Sequence, residues 1–293
     1  LTYLVAPDPD GLEGRSLPKS IVLDEAPRLV AHEYTHMIQL ARRSQAGHDW
    51  PAVWITEGQA TFAEEVQGHA ATGRSPGSNY GADVALNRSG ADETDWYRNR
   101  FADLSRYFGF RGPTSRVEDA PEACSWVVRG WGSGAPCVGA RSVYGTPSTL
   151  LRWLSDHVGA DYPGGERALH RDIVDSGRTG FANLAALTGI PRSTMLAQWA
   201  AMLWVDDRVP GADPRLTLPS WDLPDVFSRL PESGRLRPRE RTFGDFSESV
   251  EVNGASTAYF RISGSSRPAT ALGVEAGGGA FPDHMQVWVV RLQ

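Results

Sequence analysis

Apolar residues recur at spacings of three and four through most of the first 204 positions, which is the period of amphipathic helices. The pattern predicts a first helix that starts at 24–27 and ends near Ser44. A second helix is expected to start at Thr56, because Thr56 and Gln59 form a T-x-x-Q capping box. Further helices are predicted over 93–108, from after Tyr144 to about Gly159, and, as three successive helices, within 164–204.

Two other patterns interrupt the helical period. Residues 2–6 and 20–23 are short, β-branched apolar runs that predict a small N-terminal β-sheet element, and after 244 apolar and polar residues alternate as in strands. Residues between these regions are dense in Pro and Arg. We therefore expect an α+β protein with a mainly helical domain at 1–204, a linker or wrap at 205–244 and a small all-β, sandwich-like domain at 245–293.

Charge and composition exclude some classes of partner. The 293 residues carry a net charge of -6 without strong clustering of Lys and Arg, so a nucleic-acid partner is not expected. No run of about 18 apolar residues exists, so no membrane span is expected. The chain opens at Leu1 with a strand-like run, from which we expect that a signal or pro-segment of a precursor has been removed or omitted.

Cys124 and Cys137 flank a Gly- and Trp-rich segment. A disulfide between them would close a short loop and contribute about 3 kcal/mol to the free energy of unfolding. The alternative is a pair of buried free thiols. We favour the disulfide, and with it a secreted location.

The first predicted helix carries the sequence HEYTH at 32–36. At about 100° per residue, His32, Glu33 and His36 share one face. The opposite face is apolar and is expected to pack in the core; it contains Val30, Tyr34, Met37 and Ala41. Two imidazoles one turn apart can bind one metal ion, and Glu33 lies beside them without being needed as a ligand.

Glu57, which the capping box places in the first turn of the second helix, is the predicted third ligand of a two-His, one-Glu zinc site. His48, Asp49 and His69 are alternative third ligands. A site of the H-E-x-x-H-x-x-G-x-x-H kind fails, because Gln39 and Arg42 stand where Gly and His are required.

Glu64 lies on the same face of the second helix as Glu57, whereas Phe62 and Val66 are expected to point into the core. It is the predicted carboxylate that orients a ligand imidazole. The alternative is a solvated surface glutamate.

HEYTH followed by WITEGQATFAEE resembles the gluzincin zinc peptidases, which include thermolysin-like, M1-aminopeptidase-like and bacterial secreted hyicolysin-like families. The M1-like pattern W-L-N-E-G-F-A-x-x-x-E is matched at five positions: Trp54, Glu57, Gly58, Ala60 and Glu64. Thr56 and Gln59 depart from it. The resemblance implies a zincin-type catalytic domain and peptide-bond hydrolysis.

Tyr144 is the second residue of the stretch VYGTPSTLLRWL, which is partly similar to an M1-like segment whose tyrosine hydrogen-bonds the developing oxyanion. The lysine of that segment is missing here. The alternatives are that Tyr144 is a packed core residue, or that Tyr107 or His157 provides the donor.

The combined hypothesis is a secreted zinc metallopeptidase acting on protein or peptide substrates. An endopeptidase is favoured over an aminopeptidase, because no glycine-rich, glutamate-bearing exopeptidase motif precedes HEYTH. In this hypothesis, Glu33 takes the proton from the zinc-bound water and returns it to the leaving amine, while Tyr144 stabilises the oxyanion. The alternatives are a catalytically silent binding or adhesion module on the same scaffold, and a zinc hydrolase of another amide or ester.

Overall fold

A computed structural model describes residues 6–12, 14, 16–86, 95–109, 121–127, 142–230, 234–242, 247–264, 273–275, 279, 282 and 285–291. In these residues the chain is mainly helical and has one two-stranded parallel sheet, which places it broadly in the α+β class. None of the described helices combines the length and apolar character needed to cross a membrane.

The elements follow one another in an order dominated by helices. They are α1 (Lys19–Gln45), α2 (Val53–Thr72), α3 (Ala82–Ala85), α4 (Arg98–Tyr107), α5 (Ser142–Leu154), α6 (Gly165–Asp175), α7 (Gly180–Thr188), α8 (Arg192–Val205), α9 (Leu223–Arg229), β1 (Arg239–Thr242) and β2 (Phe260–Ser263). A π-helical turn, Ser155–Gly159, extends α5, and a 3-10 turn, Pro214–Leu216, precedes α9.

The central helix of the fold is α2, which packs against both α1 and α5. Trp54 and Ile55 bury its first turn, and it ends at Gly73, which takes up the left-handed conformation typical of a C-terminal cap. At Gly58 an added Cβ would lie 2.8 Å from the Cβ of Pro147 in α5. The absence of a side chain at Gly58 therefore lets α5 approach α2 closely.

The prediction of a strand at 20–23 is wrong, because these residues form the first turns of α1. Helix α1 begins directly after Pro18, earlier than expected, and continues through Pro27 to Gln45. The β preference of a short Ile/Val run is weak and is overridden when the run is continuous with a long helix. Residues 2–5 of the other predicted strand lie outside the described residues.

The apolar face of α1 was expected to pack in the core, and this prediction is also wrong. Val30, Tyr34 and Met37 are 46%, 60% and 48% exposed. The face that packs against α2 is instead the polar one, which includes the buried His32 and Gln39. Periodicity identified the two faces of α1 but not the one that α2 covers.

The capping box at Thr56 and Gln59 does not form. Helix α2 begins at Val53 with Ala52 as its N-cap, so Thr56 lies one turn inside the helix and its hydroxyl donates to the Ala52 carbonyl at 2.9 Å. Burial of Trp54 and Ile55 explains the earlier start. Among the apolar residues of α2, Phe62 is buried as expected, but Val66 is exposed.

The described residues of 205–242 include several that pack against the helical body. Leu223 and Phe227 of α9 are buried in the core, and Trp221 donates its indole N–H to Glu65 of α2 at 2.8 Å. In this Pro- and Arg-rich segment, the apolar residues Trp221, Leu223 and Phe227 are therefore part of the core.

In the described part of 245–293 one strand is present, β2, and it pairs in parallel with β1 in the register Arg239↔Phe260. The segment that precedes β2 is attached to the helical body. Asn253 donates to the Glu122 carbonyl at 2.9 Å, and the Tyr259 hydroxyl donates to the Ala200 carbonyl of α8 at 2.8 Å. A separate all-β domain therefore remains a prediction.

Cys124 is fully buried and disulfide-bonded. It lies in the same core cluster as Trp54 and Trp126, next to α8. Cys137, its predicted partner, lies outside the described residues.

Gly145→Ala is expected to lower the free energy of unfolding by about 2 to 3 kcal/mol, because overpacking forces the backbones of two helices apart. An added Cβ at Gly145 would lie 2.3 Å from both the Arg100 carbonyl oxygen and the Leu104 amide nitrogen of α4. Urea denaturation measures the change. Gly254→Ala is the control, since a Cβ there meets nothing within 4 Å; an equal effect of both substitutions would contradict the proposed close packing of α4 and α5.

Candidate metal centre

Packing of α1 against α2 brings His32, His36 and Glu57 together, with one ligand atom of each within 4.8 Å of the others. Glu57 Oε2 lies 3.2 Å from His32 Nε2 and 3.3 Å from His36 Nε2. The two imidazole rings are nearly perpendicular, at 81°, with centroids 4.9 Å apart. Both rings therefore direct Nε2 towards the same carboxylate oxygen.

Glu64 contacts the ring nitrogen of His32 that faces away from Glu57. Its Oε1 lies 2.7 Å from His32 Nδ1, and its Oε2 accepts a hydrogen bond from Arg28 Nη1 at 2.8 Å. All three side chains are buried. A carboxylate that accepts at both oxygens requires a proton on His32 Nδ1, which leaves Nε2 as the nitrogen available to a metal.

Arg28 is fixed in turn by two further acceptors. It forms an ion pair with Glu25, one turn earlier in α1, and Asn99 Oδ1 accepts from its Nη2 at 2.9 Å when the amide oxygen faces the guanidinium group. The positive charge of Arg28 compensates the buried carboxylate of Glu64. Two carboxylates, Glu57 and Glu64, therefore contact the imidazoles, and Arg28 adds a permanent positive charge beside Glu64.

The charges of the cluster shift its pKa values in opposite directions. Burial opposes the charged form of His32, but hydrogen bonds and charges of Glu57 and Glu64 outweigh it and raise the pKa of His32 to about 9. Burial also disfavours the Glu57 carboxylate, yet hydrogen bonds from His32 and His36 lower the pKa of Glu57 to about 2. Near neutral pH and without metal, His32 is therefore a protonated imidazolium that pairs with the ionised carboxylate of Glu57.

The proton on His32 is expected to make metal binding depend on pH. Since the raised pKa keeps His32 protonated at pH 7, a metal ion has to displace the proton, and the apparent affinity should rise as pH increases towards about 9. We expect release of about one proton per metal bound near pH 7.5. Calorimetry in buffers of different ionisation enthalpy measures this number, and pH-independent affinity between 7 and 8.5 would contradict it.

Tyr144, another of the predicted site residues, lies near the cluster. Glu33, the predicted general base, is partly buried on α1 and directly follows His32 in the sequence. Tyr144 belongs to the first turn of α5, and its ring centroid lies 5.8 Å from that of His32. The alternative donors lie elsewhere, because Tyr107 is buried against Trp199 and His157 contacts the Thr217 carbonyl at 2.9 Å.

The alternative third ligands are not part of the cluster. His69 lies three turns beyond Glu57 on α2, with its Nδ1 3.3 Å from the Tyr97 hydroxyl and its ring stacked on Trp221. The ring of His48 lies against Gly177. Asp49 provides its backbone carbonyl to Arg43 at 2.7 Å. In the described part of the chain, His32, His36 and Glu57 form the one group of three or more potential ligands.

Two residues that hold the cluster were missed from the sequence. Arg28 lies one helical turn before His32, and this spacing on the same face could have indicated a cation near Glu64. Gln39 lies three residues after His36, and its Oε1 is 3.1 Å from His36 Nδ1. In the sequence, Gln39 is recognisable only as the residue that replaces the glycine of the H-E-x-x-H-x-x-G-x-x-H motif.

In comparisons with known proteins, no protein-family model, curated protein or solved structure matched this chain. A function can therefore be inferred only from the residues of the cluster and their geometry. That geometry is a pair of imidazoles and a carboxylate that converge on one point between two packed helices.

Proposed function

We propose that this chain is a secreted zinc metallopeptidase with a gluzincin-like catalytic domain, and that it cleaves internal peptide bonds of protein or peptide substrates. The observation that carries the proposal is the convergence of His32, His36 and Glu57, whose ligand atoms lie within 4.8 Å of one another. The buried Glu64, which orients one of the imidazoles, supports a built site rather than a chance cluster.

The donor set fits zinc. Two imidazole nitrogens and one carboxylate oxygen are the ligands of catalytic zinc sites in which a fourth position stays open. Zinc, when bound, supplies a Lewis acid that polarises a carbonyl group and increases the acidity of water. The same donors also accept other divalent transition metals, so the choice of zinc is part of the proposal.

Glu33 is proposed as the general base. The other glutamates close to the cluster are engaged: Glu57 contacts both imidazoles and Glu64 pairs with Arg28 and His32. Glu33 has no hydrogen bond or ion pair within the described part of the chain. Its carboxylate is therefore available to accept a proton from the attacking water and to donate it to the leaving amine nitrogen.

Tyr144 is proposed to hydrogen-bond the oxygen of the scissile carbonyl as negative charge develops on it. The close approach of α5 to α2 at Gly58 and to α4 at Gly145 fixes the turn that carries Tyr144. A phenol suits this role, because it donates a hydrogen bond without introducing another full charge.

Tyr144→Phe is expected to lower kcat by about 100-fold or more, because the phenylalanine cannot donate to the oxyanion. Zinc affinity should not change, since the hydroxyl is not a ligand. Steady-state kinetics on a fluorogenic peptide measures the effect. Tyr34→Phe, on the exposed face of α1, is the matched control, and an undiminished kcat in Tyr144→Phe would exclude Tyr144 as the donor.

A secreted location is proposed from the disulfide at Cys124, because disulfides persist mainly in oxidising compartments. The all-β character of residues 245–293 is likewise a proposal, supported by their strand-like alternation and by β2. A protein or peptide substrate follows from the resemblance to gluzincins at Trp54, Glu57, Gly58 and Glu64.

Digestion of a denatured protein, followed by mass spectrometry of the fragments, tests the proposed function. The purified chain loaded with Zn²⁺ should release internal fragments, and a chelator should stop the reaction. Removal of single terminal residues would indicate an exopeptidase instead. Ester or amide turnover without peptide cleavage would favour another hydrolase, and zinc binding without any turnover would favour a silent binding module.

A further inference from the structure

We infer that Gln39 and Gln59 form an amide relay that fixes the proton of His36 on Nδ1, so that Nε2 is always the nitrogen presented to the metal. This positioning role rests on the proposed function. Neither residue is part of the zinc-binding motif recognised in the sequence, and Gln59 stands at a position where the chain departs from the gluzincin pattern.

The relay is a chain of four hydrogen bonds between α1, α2 and α6. Gln39 Oε1 lies 3.1 Å from His36 Nδ1, and Gln39 Nε2 donates to the Thr56 carbonyl at 3.3 Å and to Gln59 Oε1 at 3.0 Å. Gln59 Nε2 donates to the His170 carbonyl at 3.2 Å. Gln39 is fully buried and Gln59 is nearly so, so that water does not compete for these bonds.

Two backbone carbonyls determine the direction of the relay, because a carbonyl oxygen can only accept. The His170 carbonyl requires that Gln59 turn its NH₂ group towards it, which leaves Gln59 Oε1 as an acceptor. The Thr56 carbonyl and this oxygen both require that Gln39 turn its NH₂ group towards them. Gln39 Oε1 therefore faces His36 as an acceptor.

The consequence for His36 is a fixed protonation pattern. Since Gln39 Oε1 can only accept, His36 Nδ1 has to carry a proton whether the ring is neutral or charged. The opposite nitrogen, Nε2, points towards Glu57 Oε2 at 3.3 Å. A free imidazole would divide its proton between both nitrogens, so the relay removes the form of the ring that could not bind a metal through Nε2.

The two ligand imidazoles are thus oriented by different chemistry. His32 Nδ1 donates to the carboxylate of Glu64, which Arg28 compensates, whereas His36 Nδ1 donates to a neutral amide. The amide orients the second imidazole without adding a further negative charge to the carboxylates of Glu57 and Glu64, which already contact the imidazoles. No second arginine is then needed to compensate it.

Gln39→Met tests the relay, because methionine has a similar length but has no hydrogen-bond acceptor of comparable strength. The Kd for Zn²⁺, measured by competition with a chromogenic chelator, should increase by about 10- to 100-fold, the effect of losing a partner that orients a ligand. Gln59→Met should have a smaller effect in the same direction, because Gln39 keeps its bond to Thr56. Gln45→Met and Gln67→Met, on exposed positions of α1 and α2, are matched controls and should bind as wild type.

The ¹⁵N NMR signals of the His36 ring give a second readout that a loss of stability alone would not change. In the metal-free wild type, Nδ1 of His36 should remain protonated over the whole pH range in which the protein is folded. In Gln39→Met, the neutral ring should shift towards the form protonated on Nε2. Circular dichroism of each variant verifies folding.

An unprotonated Nδ1 in the neutral His36 ring of the wild type would overturn the inference, as would a folded Gln39→Met variant with the wild-type Kd. The failure of the proposed function is distinguishable from this. If the wild type bound no Zn²⁺, the proposed metallopeptidase would be wrong, while the NMR measurement on the metal-free protein would still decide the relay.

Discussion

Glu33→Gln is expected to lower kcat by about 10² to 10⁴-fold, the contribution of a positioned general base, while the Kd for Zn²⁺ stays unchanged. The amide of glutamine occupies nearly the same volume but cannot accept a proton from water at neutral pH. Because Glu33 has no ion pair or hydrogen bond in the described structure, its replacement should not disturb the packing of α1 against α2.

Kinetics on a peptide substrate and a zinc titration of the same preparation measure both quantities. Glu251→Gln, at an exposed position distant in sequence from the cluster, is the control for the same chemical change. A Glu33→Gln variant that digests protein as fast as the wild type would exclude Glu33 as the base. A variant that loses zinc would indicate that Glu33 is a ligand instead.

His36→Ala is expected to weaken zinc binding by more than about 100-fold, because losing a partner that only orients a ligand already costs about 10- to 100-fold. His36 Nε2 is one of three donor atoms that converge within 4.8 Å, and its loss leaves one imidazole and one carboxylate. Turnover should disappear together with the metal.

His48→Ala provides the comparison, since His48 was an alternative ligand in the sequence and the structure places its ring against Gly177. That variant should bind zinc as the wild type does. Isothermal titration of both variants at pH 8 measures the difference. Wild-type affinity in His36→Ala, or a loss of affinity in His48→Ala, would be incompatible with the proposed ligand set.

The sequence predicted the cluster well because its geometry is local. His32 and His36 are one helical turn apart, so any helix places them on one side, and Glu57 and Glu64 are two turns apart on α2. Once the two helices pack, these four side chains meet. The helices of 164–204 were also predicted correctly, as α6, α7 and α8, because Gly and Pro mark their ends.

The sequence did not predict which face of α1 is buried. Apolar periodicity favoured Val30, Tyr34 and Met37, but these residues are exposed, and the polar face is buried because its hydrogen bonds are satisfied by α2. A buried polar face depends on partners distant in the chain, such as Glu64 and Gln59, which a single-helix pattern does not contain. For the same reason the supporting roles of Arg28 and Gln39 were missed.

The start of α2 was also not predicted correctly from the sequence. The T-x-x-Q pattern at Thr56 predicted a cap, but the helix begins one turn earlier because Trp54 and Ile55 are buried in the core. Burial of two large side chains contributes several times the roughly 1 kcal/mol of an N-cap. The prediction of Glu57 as a ligand does not depend on this error, since its position relative to Glu64 is unchanged.

The central claim is that one zinc ion bound by His32, His36 and Glu57 makes this chain a peptidase, and a titration of activity with zinc tests it most directly. The wild-type chain is stripped of metal with a chelator, and protein digestion is followed as Zn²⁺ is added. The rate should rise from zero and level off at one equivalent of zinc per chain. Digestion that is unaffected by metal removal, or absent at every zinc concentration, would contradict the account.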